Sequence, residues 1–337
     1  MTDPSNRYFE GAAHYDRETV RFFDVAHEGA QLRAVAEAAG RLEHLAGVNP
    51  RSVVVLATDQ IAAVAARCAL ALAGQDSEAG AGAGLRWPVV VADELPGYVG
   101  PLDVVVVVGD APDAEAVTRA LVTAAGRGAE TVLAGPQTGP VVEDAPDSTV
   151  VLPAPPTTLG ASPLRTIAAV TAVLQTLEGA LPHEVAELAA AADDVDEELR
   201  QLSPERDATT NLARQLREFV AGKRIMHTGS MRTGAAVAEV AAVLWSVKGL
   251  AGGFVDKHEL AGALEETSSP ADDIFHDPYL DGPAVSVGTI VWGEDYARLA
   301  GGRAERSAAT GSVAPVSYTP LRAHETGRKL VCRLLLE

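Results

Sequence analysis

Seven consecutive residues, Thr228-Gly229-Ser230-Met231-Arg232-Thr233-Gly234, collect three hydroxyls, two glycines and a cation. Hydroxyls, together with backbone N–H groups bared by glycine, are the groups that cradle phosphate-like anions, and a guanidinium adds charge. Thr228, Gly229, Ser230, Arg232 and Thr233 are therefore the candidate ligand-binding residues. The same residue types also build an ordinary turn in which Ser230 or Thr233 caps a following helix. His258-Glu259 is the nearest pair able to exchange a proton, and so the candidate catalytic pair. On a helix, adjacent side chains diverge by about 100°, which opposes joint action. Asp272, Asp273, His276 and Asp277 are metal-ligating types, but their polar, proline-containing setting suits a solvated loop with Asx turns. No metal and no cofactor is expected. The run Gly80-Ala81-Gly82-Ala83-Gly84 precedes a strand and does not follow one, so it is no dinucleotide fingerprint. His227 reads as a satisfied edge histidine at a strand end.

The elements that would carry these residues follow from periodicity. Residues 16–46 have helical spacing of Val20, Phe23, Val25, Leu32, Val35, Leu42 and Leu45, ended by Asn49-Pro50. Residues 52–57 read as a buried strand and 60–73 as a helix. Residues 88–92 are a short strand. Residues 103–109, DVVVVVG, form the strongest strand in the chain, because five valines in a row need cover on both faces. Asp113 is placed as the cap of a helix reaching about residue 126. Residues 130–134 and 148–152 are two further strands. A proline-rich connector at 153–163 leads to long helices over 164–177 and 182–202, then a shorter one over 210–220. The pattern then restarts, with a strand at 223–228, a helix at 232–247, an extended piece at 253–256, a helix at 258–265 and a strand at 285–292. Strands alternating with helices at this spacing mean βα units and parallel sheets, here in approximate duplicate.

The chain has 337 residues, enough for two domains, and 47% apolar residues with only 4% aromatics. Its core must be built from Ala, Val and Leu. A net charge of −19 excludes a nucleic-acid partner, since binding phosphate backbones requires a basic stripe. A local nest of N–H groups can still hold a small anion. Cys68 and Cys332 give neither a disulfide framework nor metal spacing. No apolar run is long enough to span a membrane, and the N-terminus lacks the signal-peptide pattern, so no membrane partner is expected and the cytoplasm is the default location.

Residues 316–337, VSYTPLRAHETGRKLVCRLLLE, reverse the charge sign of the body before them. The run resembles the conceptual translation of a sequencing-library adapter, Pro320 apart. It is expected to be an artefactual tail, with the natural C-terminus beyond residue 315. The expected organisation is an N-terminal helical segment (1–50), a first α/β domain (51–180), a helical linker (181–222) and a second α/β domain (223–315). The second is shorter and is expected to lack its last strand and one or two helices.

Several stretches carry a family resemblance: DVVVVVGDAPDAEAVTRAL, RGAETVLAG, VLPAPP, TTNLARQL with AGKRI, and DIFHDPYLDGP. Over nearly all of residues 27–315 the chain resembles the double sugar isomerase (SIS) domain proteins. It is most similar to the bifunctional phosphoglucose/phosphomannose isomerases and, within them, to the divergent TobH-type members. The resemblance implies two tandem flavodoxin-like parallel-sheet domains facing a cleft, a sugar-phosphate ligand, and an aldose–ketose isomerase acting on glucose 6-phosphate or mannose 6-phosphate. A homodimer is compatible with it. Such chemistry needs a phosphate held at a helix N-terminus, a carboxylate that moves a proton between C2 and C1, and a second acid/base that opens the ring.

The family's Gly-Gly-Ser and Ser-Gly-Asn-Thr loops are replaced here by Ala57-Thr58-Asp59-Gln60 and Gly109-Asp110-Ala111-Pro112-Asp113. Asp110 and Asp113 stand where phosphate oxygens would lie. A carboxylate about 5 Å from a phosphate charge costs roughly 3 kcal/mol at an effective dielectric of about 20. Two readings stay open: an isomerase, and a catalytically silent phosphosugar-binding or regulatory protein.

Overall fold

In the computed structural model the described residues are 17–73, 85–156, 160–266, 286–293 and 313–314. The first sheet contains β1 (Ser52–Ala57), β2 (Val89–Ala92), β3 (Asp103–Val108), β4 (Glu130–Ala134) and β5 (Val150–Val151), all parallel, in the order β2-β1-β3-β4-β5. The valine strand is the central one, and every one of its residues is buried. Its alternate side chains serve two cores. Val104, Val106 and Val108 join the layer of α3 (Gln60–Ala73) and α6 (Pro163–Leu177), while Val105 and Val107 pack with α4 (Glu115–Gly126). Asp103 can open so apolar a strand because its carboxylate is fully engaged. It accepts from Arg51, from Ser52 Oγ at 2.8 Å and from the Gly100 amide at 2.9 Å.

The N-terminal helical pattern breaks into α1 (Arg17–Val25), α2 (Glu28–Ala38) and a 3₁₀ turn over Ala39–Leu45. A short helix, α5 (Pro140–Glu143), follows β4. α2 packs on α7 (Leu181–Leu202) and on α6. α6 is buried along nearly its whole length. α8 (Leu212–Val220) begins at Asn211, whose Oδ1 accepts from the Ala213 and Arg214 amides at 3.1 and 3.3 Å.

The second sheet contains β6 (Lys223–Gly229), β7 (Gly252–Phe254), β8 (Ser286–Trp292) and β9 (Val313–Ala314), parallel in the order β7-β6-β8-β9. This repeats the order of the first four strands of the other sheet. β9 was not anticipated from sequence. The registers coincide as well: Val53 lies opposite Val89 and Val104, and Ile225 lies opposite Gly252 and Gly288. β6 is followed by α9 (Arg232–Val247), as β1 is followed by α3.

The two duplicated helices, α3 and α9, pack on one another, and buried residues of both units belong to one apolar cluster. Arg67 Nη2 on α3 meets Glu239 Oε1 on α9 at 2.7 Å, and these two are equivalent positions, 172 residues apart. Equivalent residues touching each other place a pseudo-twofold axis between the helices.

Three expectations need correction. Asp113 is exposed and does not cap α4: Ala114 holds the N-cap position without a side-chain bond. His258 and Glu259 lie in an exposed turn before α10 (Leu260–Glu266), outside the helix itself, because Asp256 holds the chain there in an Asx turn. β6 is flanked by β7 and β8, so His227 is on an internal strand and is wholly buried. The segment 80–84, the group Asp272, Asp273, His276 and Asp277, and the tail at 316–337 lie outside the described residues.

Candidate functional site

In a parallel sheet, loops at the carboxyl ends of the strands are where ligands bind. The duplication supplies two such ends in one chain, and they can be compared atom by atom. At the first, the Thr58 amide donates to the Val108 carbonyl at 2.9 Å; at the second, the Ser230 amide donates to the Trp292 carbonyl at 3.1 Å. β3 is followed by Gly109 at φ 121°, and β8 by Gly293 at φ 111°. A Cβ on Gly109 would lie 2.2 Å from Thr58 Oγ1, and one on Gly293 would lie 2.6 Å from Ser230 Oγ. Both positions thus need glycine, for backbone conformation and for space. Thr58 and Ser230 are equivalent, and so are Asp59 and Met231.

The first strand end is filled by its own acids. Asp59 Oδ1 accepts from the Ala62 amide in the first turn of α3 at 2.9 Å. Its Oδ2 accepts from the Asp110 amide at 3.0 Å and from Thr58 Oγ1 at 3.1 Å. Asp110 pairs with Arg165 and accepts from the Ser162 amide at 2.9 Å. Ser162 caps α6, and its hydroxyl donates to Glu28 Oε2 at 2.8 Å. Arg165 is only 1% exposed; it also donates to the Gly135 carbonyl, and its Nε has no partner among the described residues. Burial pushes the Asp110 carboxyl up and the Arg165 guanidinium down, against their mutual attraction. Burial likewise pushes Glu28 up to about 8, so it is a neutral acid at pH 7.

Sequence reasoning noted Asp59 and Asp110 as departures but missed Glu28, Ser162 and Arg165. The available signal was Arg165 itself, a lone charge in the apolar run PLRTIAAVTAVLQTL, which must find a buried partner.

The second strand end differs in sign. Met231 stands where Asp59 would, and as N-cap of α9 it makes no side-chain cap bond. Thr228, Ser230 and Thr233 are buried in the loop, and Arg232 is exposed beside them. The Thr228 hydroxyl has no partner among the described residues. Gly229 and Gly234 let the backbones close up: a Cβ on Gly229 would fall 2.0 Å from the Ala235 amide nitrogen, and one on Gly234 2.3 Å from the Trp292 carbonyl oxygen. Lys257 Nζ donates to the Ser230 carbonyl at 3.1 Å, which ties the turn carrying His258 and Glu259 to this loop.

Beneath the loop, His227 Nδ1 accepts from Trp292 Nε1 at 3.2 Å, and the imidazole meets Trp245 edge-on at 4.6 Å. Burial drives its pKa down to about 4, so it is neutral and supports the loop without carrying charge. Among the described residues no cluster of three or more metal-ligating side chains is drawn together, and no helix is long and apolar enough to cross a membrane.

Two tandem parallel-sheet units, joined through their first helices, define the fold of the double-unit sugar isomerase (SIS) proteins, and solved structures share it. The tagatose-6-phosphate ketose/aldose isomerase of Escherichia coli aligns with TM-score 0.60 at 12% identity, over 93% of this chain and 90% of that one. The C-terminal domain of the glucosamine-fructose-6-phosphate aminotransferase of Francisella tularensis aligns with TM-score 0.60 at 11% identity, over 96% and 94%. A presumed phosphosugar isomerase of Bacillus subtilis aligns with TM-score 0.57 at 15% identity, over 89% and 93%. No protein-family model and no curated protein matches the sequence.

Proposed function

We propose that this chain binds a sugar phosphate, with the phosphate group at the Thr228–Gly234 loop. The observation that carries this is the contrast between equivalent loops. The first holds Asp59 and Asp110, whereas the second holds hydroxyls, Arg232 and Lys257, with no carboxylate in the loop itself. The start of α9 adds a favourable dipole worth roughly 0.3–1 kcal/mol. The names of the structures that share the fold support a phosphosugar ligand. In keeping with the resemblance to phosphoglucose/phosphomannose isomerases and their TobH-type members, the sugars to test are glucose 6-phosphate, mannose 6-phosphate and fructose 6-phosphate.

Binding without turnover is the reading the described residues favour, because a buried carboxylate and a partnered acid/base are not assembled at this loop. One observation favours isomerisation as a second reading: Lys257 brings the His258-Glu259 turn to the loop, where Glu259 would shuttle the proton and His258 would act on the ring oxygen.

Titration of the three sugar phosphates, with an isomerisation assay on the same samples, tests both. The expected result is saturable binding that Ser230→Asp weakens by more than a hundredfold, since a carboxylate about 5 Å from the phosphate costs roughly 3 kcal/mol. Equal binding by the native and Ser230→Asp chains would place the ligand elsewhere. Turnover that Glu259→Gln removes while binding persists would select the isomerase reading.

A further inference from the structure

The crossing from β2 to β3, over residues 93–102, is the one in the first sheet that carries no helix. The sheet face beside α4 is therefore covered only in part. Val90, the partner of Val54 across the strands, stays 40% exposed. Between α4 and this crossing lies a cavity of about 440 Å³, inside the range of about 300–1,000 Å³ typical of small-molecule sites. It opens on the sheet face turned away from α3, and hence away from the second unit. It contains no residue of the loops at 58–60, 109–113 or 228–234.

Leu56, Leu95, Val117 and Ala120 give the cavity an apolar floor. Asp93 and Glu94 line it from the β2 side, Arg119 and Arg127 from the α4 side. All four charges are exposed, yet among the described residues no ion pair joins either arginine to either acid. Arg119 turns instead to Glu115 on its own helix, Nη1 to Oε1 at 2.5 Å. Two acids and a free cation thus face one apolar space without neutralising each other. Such a space complements a ligand that carries both signs on an apolar body. From Ala116 to Arg127 the lining runs along eleven helical steps, about 16 Å, so the cavity is long enough for a short extended molecule.

We propose that this cavity binds a small apolar zwitterion of amino-acid or dipeptide size, its ammonium group toward Asp93 and Glu94 and its carboxylate toward Arg127. The apolar body lies on Leu56, Leu95 and Val117. The site is distinct from the phosphosugar loop and does not depend on that reading.

The test titrates L-leucine and L-leucyl-L-leucine onto the full chain by calorimetry, beside the dipeptide blocked at one end or the other. Saturable binding of one equivalent is expected for at least one free zwitterion. N-acetylation and C-terminal amidation are each expected to weaken the dipeptide about fivefold, the scale of one exposed charge pair. Arg127→Gln is expected to weaken the free dipeptide while leaving the amidated one unchanged; Asp93→Asn with Glu94→Gln is expected to do the same for the free and N-acetylated forms. Ala116→Trp, at an exposed lining position, fills the cavity and is expected to abolish binding without moving the thermal midpoint. The proposal is overturned if neither free zwitterion saturates, if blocking either end costs nothing, or if Ala116→Trp binds as the native chain does. Ser230→Asp is expected to leave zwitterion binding intact, and Ala116→Trp to leave sugar-phosphate binding intact, so a failure at one site is read apart from a failure at the other.

Discussion

A carboxyl group buried without a full counter-charge changes its proton affinity before it changes its place. Glu28 is such a group, held at about 8 by burial and only partly relieved by the Ser162 hydroxyl and Arg165. The folded chain keeps this proton up to about pH 8, whereas the unfolded chain, with a glutamate's ordinary value of 4.5, has already released it. The favourable contribution of the protonated acid is therefore fully present below about pH 4.5 and is lost as pH rises through about 8. Glu28→Gln cannot ionise and keeps an oxygen for Ser162. Its urea midpoint is expected to match the native chain at pH 5 and exceed it at pH 8, by on the order of a few kcal/mol in stability. A gap of the same size at both pH values would show that Glu28 does not carry the proton.

At the scale of elements, the decisive contact is backbone against backbone where β6 turns into α9. A Cβ at Gly229 would fall 2.0 Å from the Ala235 nitrogen and 2.1 Å from the Gly234 carbonyl carbon, and neither atom can rotate away. Gly229→Ala should therefore push α9 off the strand, destabilise the chain by about 3 kcal/mol or more, and remove ligand binding with it. Gly253→Ala, on the edge strand β7 with nothing within 4 Å of the added methyl, is the control. Its expected effect is within about 0.5 kcal/mol. Denaturant titration of both variants checks the pair; similar losses would mean that general strand propensity, and not this close approach, sets the cost.

On the scale of the molecule, the two units behave as one if their shared core outweighs the surface pair between them. The Arg67–Glu239 bridge is partly exposed and is worth no more than about 1 kcal/mol. Helix α3 instead presents fully buried Ala65, Cys68 and Ala69 within the cluster that also holds Val237 and Ala241 of α9. Cys68 reports on this core, because burial both hides the thiol and pushes its pKa up to about 12. In a Cys332→Ser background, its labelling by a thiol reagent is expected to proceed at the rate of global unfolding, with a single thermal transition. Fast labelling while the circular dichroism stays native would show that the two units open separately.

Local pattern alone determined the order and kind of most elements, the short helix α5 and the strand β9 excepted. The valine run at 104–108 could only be a strand covered on both faces, and the structure makes it the central one. The restart at residue 223 announced a second parallel sheet, and the hydroxyl-and-glycine loop at 228–234 was legible because its residues are contiguous. Where the pattern misled, a short-range competitor was responsible. The Asx turn of Asp256 kept His258 and Glu259 out of the helix, and a turn at Ala26-His27 divided the expected N-terminal helix, which closes in the 3₁₀ turn. Tertiary structure alone decided the character of the first strand end. Ser162 and Glu28 meet across 134 residues, and Arg165 and Asp110 across 55. A charge in the sequence does not name its partner; folding does, because a buried charge must find one, and the fold determines which residues are within reach.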